Sequence, residues 1–371
     1  MKIGCVKEIK RYEYRVGITP DNAREYRAHG HEVLVEAGLG DGSSFTDAMY
    51  REAGAAVLDD AAAVWAGSEM MVKVKEPLAS ECALMRDGQI IYAYLHLAAN
   101  RPLTEALLDR RVRAVAYETV RDGKGGLPLL KPMSEVAGRL SVQEGAKCLE
   151  IPMGGRGVLL GGVPGTPRAK VVVIGGGVVG ANACRMAAGL GARVVVMDNN
   201  PGRLEALDEL FGNAVQTIFS TPAAIEREIA DADLIIGAVL VPGAAAPKLI
   251  KKSHLSGMRK GSVIVDVAVD QGGCCETTRP TSHDDPTFAV DGVLHYCVAN
   301  MPGAVPVTST VALTNSTLGP GLELADKGFE RAVKENRFLA PGVNCYLGRL
   351  ICREVARGFG LEYGDLAELL S

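Results

Sequence analysis

Residues 171–198 read VVVIGGGVVGANACRMAAGLGARVVVMD. A buried apolar strand runs into a glycine-rich turn, a helix, a second apolar strand and a terminal acid, and few folds accept that order. Gly175, Gly177 and Gly180 supply a G-x-G-x-x-G spacing directly after Val171 to Ile174, and Asp198 closes the next strand. Each glycine has a mechanical reason: Gly175 permits a tight turn, Gly177 lets the backbone approach a pyrophosphate, and Gly180 lets helix and strand pack closely. The helix N-terminus then favours an anion. A chain with 44 glycines produces glycine-rich turns for structural reasons alone, but here strand, spacing, helix and acid agree, and the pattern predicts dinucleotide binding. Asp198 is placed to accept from adenosine ribose hydroxyls and to repel a 2′-phosphate. Asn199 and Asn200 follow in place of arginines, which favours NAD over NADP.

A length of 371 residues suggests two or three domains. Short apolar strands alternate with helical patterns, the signature of α/β layers with parallel sheets. In the first part the strands are 32–36, 70–74 and 90–95. Helices are expected over 20–29, with Thr19 as cap and Gly30 as stop, and over 46–53. A second series, 171–174, 193–197, 215–219, 234–239, 263–267 and 294–298, has the six strands of a complete Rossmann sheet. Proline and glycine punctuation at 125–132 precedes Ser134, an expected N-cap for a helix to about residue 149. The stretch 300–310 interrupts the pattern again before helices at 323–334 and 347–359. The expected organisation is therefore two α/β domains: residues 129–306 form a Rossmann domain inserted into a second domain made of 1–128 and 307–371.

The net charge of −4 and the scattered Lys and Arg argue against nucleic-acid binding. The longest apolar stretch, 234–247, is too short to span a membrane, and the N-terminus lacks an apolar signal core, so the chain reads as a cytoplasmic protein. Nine cysteines without a C-x-x-C pair read as reduced core residues. The adjacent Cys274 and Cys275 have no histidine at ligand spacing, and no metal is expected.

His96, Asp270 and Asn300 each follow an apolar strand, where α/β sheets place their chemistry, although a histidine or an Asx residue there is as readily structural. Arg15 and Lys75 are cations that suit a carboxylate substrate, or that simply cover a solvated face. The residues alone leave both readings open.

Beside these stand longer segments: KEIKRYEYRVGITP at the N-terminus, KVKEP, YLHLA, PLLKPMSEVAGRLSVQEGAKCLE, GAVLVPGAAAPKL, DQGG and VANMPGAVP. Together with GGGVVG and Asp198 they resemble the alanine dehydrogenase family over essentially the whole chain. The resemblance implies reversible NAD-dependent oxidative deamination of L-alanine to pyruvate and ammonium. It implies that Arg15 and Lys75 bind substrate and that His96 and Asp270 are the acid/base residues. Cofactor contacts are implied at Ser134, Val178, Val179, Asp198, Arg203, Ser220, Val239 and Leu240. Others are implied at Val267, Ala268, Val269 and Asp270, at Arg279, and at Val298, Ala299, Asn300 and Met301. A homo-oligomer, a hexamer, is implied as well. One departure is Val307, where relatives usually carry a basic residue. Two other readings remain: a dehydrogenase for another small amino acid or for saccharopine, and the NAD-binding component of a proton-translocating transhydrogenase, whose fold is similar.

Overall fold

The computed structural model describes residues 1–239 and 246–371. The chain divides into two compact units, one of residues 1–133 with 305–371 and the other of residues 134–304. The punctuation in the sequence places these divides at 128/129 and 306/307. The helix Lys131–Cys148 begins at Lys131, with Pro132 in its first turn. Ser134 is accordingly inside the helix and not its N-cap.

The first unit opens with six strands: β1 Lys2–Cys5, β2 Glu32–Glu36, β3 Ala56–Leu58, β4 Met70–Val72, β5 Ile90–Ala93 and β6 Arg113–Ala116. The second unit contains β7 Lys170–Ile174, β8 Arg193–Asp198, β9 Val215–Phe219, β10 Leu234–Gly237, β11 Val263–Asp266, β12 Thr287–Val290 and β13 Val293–Tyr296. On its return to the first unit the chain adds β14 Val343–Tyr346 and β15 Arg349–Leu350. The sheet of the first unit runs β15-β14-β6-β5-β4-β1-β2-β3, and that of the second β12-β13-β11-β10-β7-β8-β9. Within each, six parallel strands follow the doubly wound 3-2-1-4-5-6 order, and the additional strands pair antiparallel at one edge.

The central strands of both sheets are buried on two faces, so they are largely apolar and do not alternate, whereas β2, EVLVE, towards one edge of its sheet, does alternate. β7, KVVVI, and β10, LIIG, have every residue buried. Val172, Ile174, Met197, Ile235 and Ile264 lie in one core of the second unit, and Trp65, Met71, Ile91, Leu95 and Leu107 in one core of the first. The helix Pro20–Ala28 starts as expected, with a Thr19–Asn22 capping box and Pro20 in its first turn.

The C-terminal segment differs from the sequence reading. The stretch 300–310 is expected to precede a helix starting at 323, but a helix already begins within it: Pro306 occupies the first turn of Pro306–Lys327, where its missing N–H costs nothing. The helix expected over 323–334 is split by Gly328, at φ 77°, into the end of that helix and a second one, Phe329–Glu335. The helix expected over 347–359 begins only at Arg353. Before it lies a hairpin whose two turn residues, Leu347 (φ 47°) and Gly348 (φ 89°), both have positive φ. A leucine in that position carries none of the usual Asn-Gly turn signal. In the second unit β12 is a seventh strand beyond the six expected. Among the described residues no helix is long and apolar enough to cross a membrane.

Candidate active site

In the second unit the expected contacts gather along one edge, the carboxyl ends of the parallel strands. The turn after β7 has Gly175 at φ 101°, where a Cβ would lie 2.6 Å from the Ala238 carbonyl oxygen. At Gly180 a Cβ would fall 1.8 Å from the Gly175 carbonyl oxygen, so helix and turn touch backbone to backbone. At Gly177, which caps the helix Val178–Gly189, a Cβ would meet nothing within 4 Å. The first and third glycines are thus required by the protein itself. The second leaves the open approach that a pyrophosphate needs at a helix N-terminus. Val178 is exposed and Val179 half-buried in the first turn of that helix.

Asp198 ends β8 beside this turn. Its Oδ2 accepts from the Gly176 N–H at 2.7 Å and its Oδ1 from the Asn200 N–H at 2.9 Å. The Arg203 Nε donates to the Gly176 carbonyl. A carboxylate has about four acceptor sites, so Asp198 retains capacity for ribose hydroxyls after these two bonds. Ser220 follows β9 and donates its N–H to the Asp198 carbonyl at 2.9 Å. Val239 follows β10 and packs on the core, while Leu240 lies outside the described residues. Val267, Ala268, Val269 and Asp270 form a 3-10 turn, Val267–Gln271, directly after β11, with Asp270 exposed.

The turn that carries Asp270 is held by a residue that sequence reasoning missed. Asp266 is fully buried. Its Oδ1 accepts from the Ala268 N–H at 3.2 Å, and its Oδ2 from the Cys274 N–H at 2.9 Å and the Thr278 hydroxyl at 2.6 Å. Val298 to Met301 follow β13. Ala299 donates its N–H to the Thr281 carbonyl, and Asn300 adopts φ 63° with His283 Nε2 3.3 Å from its carbonyl oxygen. Two expected contacts are not at strand ends: Ser134, on its helix, and Arg279, whose guanidinium lies 4.2 Å from the centroid of the Phe288 ring.

In the first unit the chemistry is carried by charged side chains. Arg15 is buried, and its fork grips Glu13: Nε donates to Oε1 at 2.7 Å and Nη2 to Oε2 at 2.5 Å. Its Nη1 lies 3.0 Å from the Met133 sulfur. Lys75 follows β4 and is half-buried. Burial, followed by the nearby Arg15 guanidinium, lowers its amine below the ordinary lysine range. Two cations sharing a poorly hydrated space favour an anion between them. A cavity of about 660 Å³ includes Lys10, Arg11, Glu13 and Arg15 in its wall.

The strand end that bears Lys75 is fastened by Glu8, whose Oε1 accepts from the Val74 N–H at 2.7 Å and from the Lys75 N–H at 3.3 Å. Its Oε2 accepts from the Lys73 amine at 3.0 Å, and the same amine lies 2.8 Å from Glu81. Burial opposes the charge on Lys73, but Glu8 and Glu81 outweigh it and hold Lys73 above the ordinary lysine value. Burial also pushes the Glu8 carboxyl up, against the pull of Lys73. Glu8, Glu13 and Lys73 were not recognised from sequence, where each reads as one more surface charge.

His96 follows β5 with φ 49° and ψ 38°, a left-handed conformation costing a non-glycine residue on the order of 1–2 kcal/mol. Its imidazole is stacked on Tyr94 at a centroid distance of 5.9 Å. The nine cysteines are free thiols, eight of them buried. Among the described residues no cluster of His, Cys, Asp and Glu could hold a metal ion.

Comparison with known proteins accounts for the whole chain. Residues 4–137 match the family profile described as alanine dehydrogenase/PNT, N-terminal domain, and residues 141–353 that described as alanine dehydrogenase/PNT, C-terminal domain. An alanine dehydrogenase of Halomonas elongata is 55% identical over 370 residues, covering 100% of both chains. A solved L-alanine dehydrogenase structure superposes with a TM-score of 0.94 at 53% identity, covering 97% of this chain and 99% of the other. A transhydrogenase from Sinorhizobium meliloti superposes at 0.82 with 25% identity, covering 95% and 99%.

Proposed function

The chain belongs to the alanine dehydrogenase/PNT family, and from that premise we propose that it catalyses the reversible oxidative deamination of L-alanine to pyruvate and ammonium with NAD. The observation that carries this reading is 55% identity to an alanine dehydrogenase across the full length of both chains, against 25% to the transhydrogenase. The unit of residues 1–133 and 305–371 takes the substrate, and that of residues 134–304 takes the dinucleotide.

Bound NAD supplies the carbon that accepts hydride from the substrate Cα. All else is the work of the chain. Glu13 holds the guanidinium of Arg15 in place, and Arg15 so fixed is assigned to the substrate carboxylate. That carboxylate also restores the proton affinity that burial and Arg15 take from Lys75. Charged Lys75 then polarises the imine or carbonyl. His96 moves protons on and off the amine and the carbinolamine, a task suited to a side chain that ordinarily titrates near neutrality. Asp270 activates the attacking water or stabilises the iminium charge. Asp198 receives the adenosine ribose and excludes a 2′-phosphate. The working form is a cytoplasmic homo-oligomer, a hexamer.

Initial rates test this directly. L-alanine with NAD, and pyruvate with ammonium and NADH, are expected to turn over, and NADH with an NADP analogue is not. The reverse pattern would move the chain to the transhydrogenase reading, and a panel of small amino and 2-oxo acids would expose a different preferred substrate.

A further inference from the structure

We infer that Glu118 is a positioning residue for the reaction: its carboxylate holds the backbone turn that presents the His96 imidazole. The inference rests on the assignment of His96 as proton carrier. Ala93, at the end of β5, is the register partner of Ala116, at the end of β6. Two residues beyond Ala116 comes Glu118, in the 3-10 turn Tyr117–Thr119. Two residues beyond Ala93 comes Leu95, and then His96.

The side chain thus lies where the ladder between the two strands has run out, and it takes over as acceptor. Glu118 Oε1 accepts from the His96 N–H at 2.6 Å and from the Leu95 N–H at 3.1 Å, and Oε2 lies 3.3 Å from the same Leu95 N–H. Two successive amides turned onto one carboxylate cannot continue an extended strand, in which they would point to opposite sides. The backbone instead closes at His96 into φ 49° and ψ 38°. A conformation this sparsely populated by non-glycine residues persists only where its surroundings impose it, and a charged acceptor is the stronger kind of clamp.

The imidazole has a second support. Tyr94 is buried, its hydroxyl donates to the Leu129 carbonyl at 2.6 Å, and its ring stacks on that of His96 at an interplanar angle of 17°. Tyr94 orients the ring plane, whereas Glu118 decides where the ring is attached. Removing Glu118 leaves the Tyr94 ring in place and frees the backbone that aims the imidazole.

The test compares two variants with wild type by steady-state kinetics, NADH binding and crystallography. Glu118→Gln keeps one oxygen for the two amides, loses the charge and turns the second oxygen into an NH2 donor. Glu118→Ala removes the acceptor. Glu118→Ala is expected to lower kcat about 10- to 100-fold, as for a catalytic group displaced by about an ångström, with KM for pyruvate and affinity for NADH within about twofold. Glu118→Gln is expected to recover most of the loss, and in the Glu118→Ala structure His96 is expected to leave the positive-φ region. An unchanged φ at His96 with kcat within about twofold of wild type would overturn the inference. If Glu118→Ala does not fold, Glu118→Asp, whose shorter chain draws the acceptor back from Leu95 and His96, is held to the same outcomes. Wild-type protein inactive on alanine and pyruvate would defeat the deamination reading instead, and the conformation of His96 would still decide for or against Glu118.

Discussion

Two sheets with one strand order present their chemistry by different means. In residues 134–304 the edge of the sheet is shaped by backbone: a glycine turn in which two positions have no room for a Cβ and the third faces open space, with Asp198 bonded to the turn itself. In the other unit the same edge is shaped by charged side chains, most of them buried. Lys73 lies between Glu8 and Glu81, Arg15 is paired with Glu13, and Glu118 caps the amides at His96. A backbone cradle suits a ligand recognised by phosphates, because peptide N–H groups need no side chain to be exact in position. A small substrate offers little beyond a carboxylate and one reacting carbon, so its groups must come from side chains held at fixed points, and buried ion pairs hold them at a cost in desolvation.

The comparison is broken most severely by the acid/base variants. His96→Ala and Asp270→Asn are each expected to lower kcat by about 10² to 10⁴, the range for a positioned proton-transfer group, while NADH still binds His96→Ala normally. Near-normal turnover in both, in folded and NADH-competent protein, would remove these side chains from the mechanism.

The glycines sharpen it next. Gly180→Ala places a Cβ against the Gly175 carbonyl and is expected to cost roughly 1–3 kcal/mol or more in stability, as overpacking does, visible as a lower Tm. Gly177→Ala meets no protein atom, so its Tm is expected to stay at the wild-type value while its Kd for NADH rises about tenfold, a loss of roughly 1.4 kcal/mol. Equal effects on Tm in the two variants would mean that the open space at Gly177 is not reserved for a ligand.

A smaller effect is expected at Asp198. Wild-type protein should prefer NAD over NADP by about tenfold or more, roughly 1.4 kcal/mol, and Asp198→Ala combined with Asn199→Arg should erase that preference. Because Asp198 also accepts from the Gly176 N–H, the variant should lose some NAD affinity even without the arginine. Competition between the two cofactors measures both.

The mildest test is pH. On the proposed mechanism a charged Lys75 polarises the substrate, and burial, followed by the nearby Arg15, lowers its amine, so that charge is lost at a lower pH than for an exposed lysine. KM for pyruvate should therefore rise with pH, and Lys75→Arg, which stays protonated, should move that limb upward. A limb that does not move in Lys75→Arg assigns it to another group.

Sequence made the second unit readable and left the first largely closed. Gly175, Gly177, Gly180 and Asp198 fall within one strand-helix-strand stretch, so their spacing already contains their geometry. Arg15, Lys75 and His96 could be singled out as site residues only through resemblance to a family, since by spacing alone each is also an ordinary surface charge or strand-end histidine. Their partners escaped notice altogether. Glu8 meets Val74, and Glu118 meets His96, across a parallel sheet, and nothing local marks which of 44 acidic residues will find a buried cation or a stray pair of amides. The turn at Leu347 was missed for a related reason, since a residue of good helix propensity was overruled by strand pairing, whereas the split at Gly328 does carry a local mark, a glycine at positive φ that ends the helix.

By itself, then, the sequence determined the features that neighbours along the chain dictate: two α/β series, the parallel sheets that apolar strands buried on both faces require, the glycine turn, and the acid that ends the second strand of the dinucleotide fold. Only the tertiary structure decided which charges are buried together. Glu8 on Lys73 and Glu118 on the left-handed turn of His96 are contacts between segments that meet because a sheet aligns the ends of its strands, whereas Glu13 on Arg15, Glu81 on Lys73 and Asp266 beneath the turn of Asp270 join near neighbours whose backbone the fold bends together. A buried charge is tolerated only once such a partner is in place, so the side chains that hold this site become recognisable only when the fold has brought their partners to them.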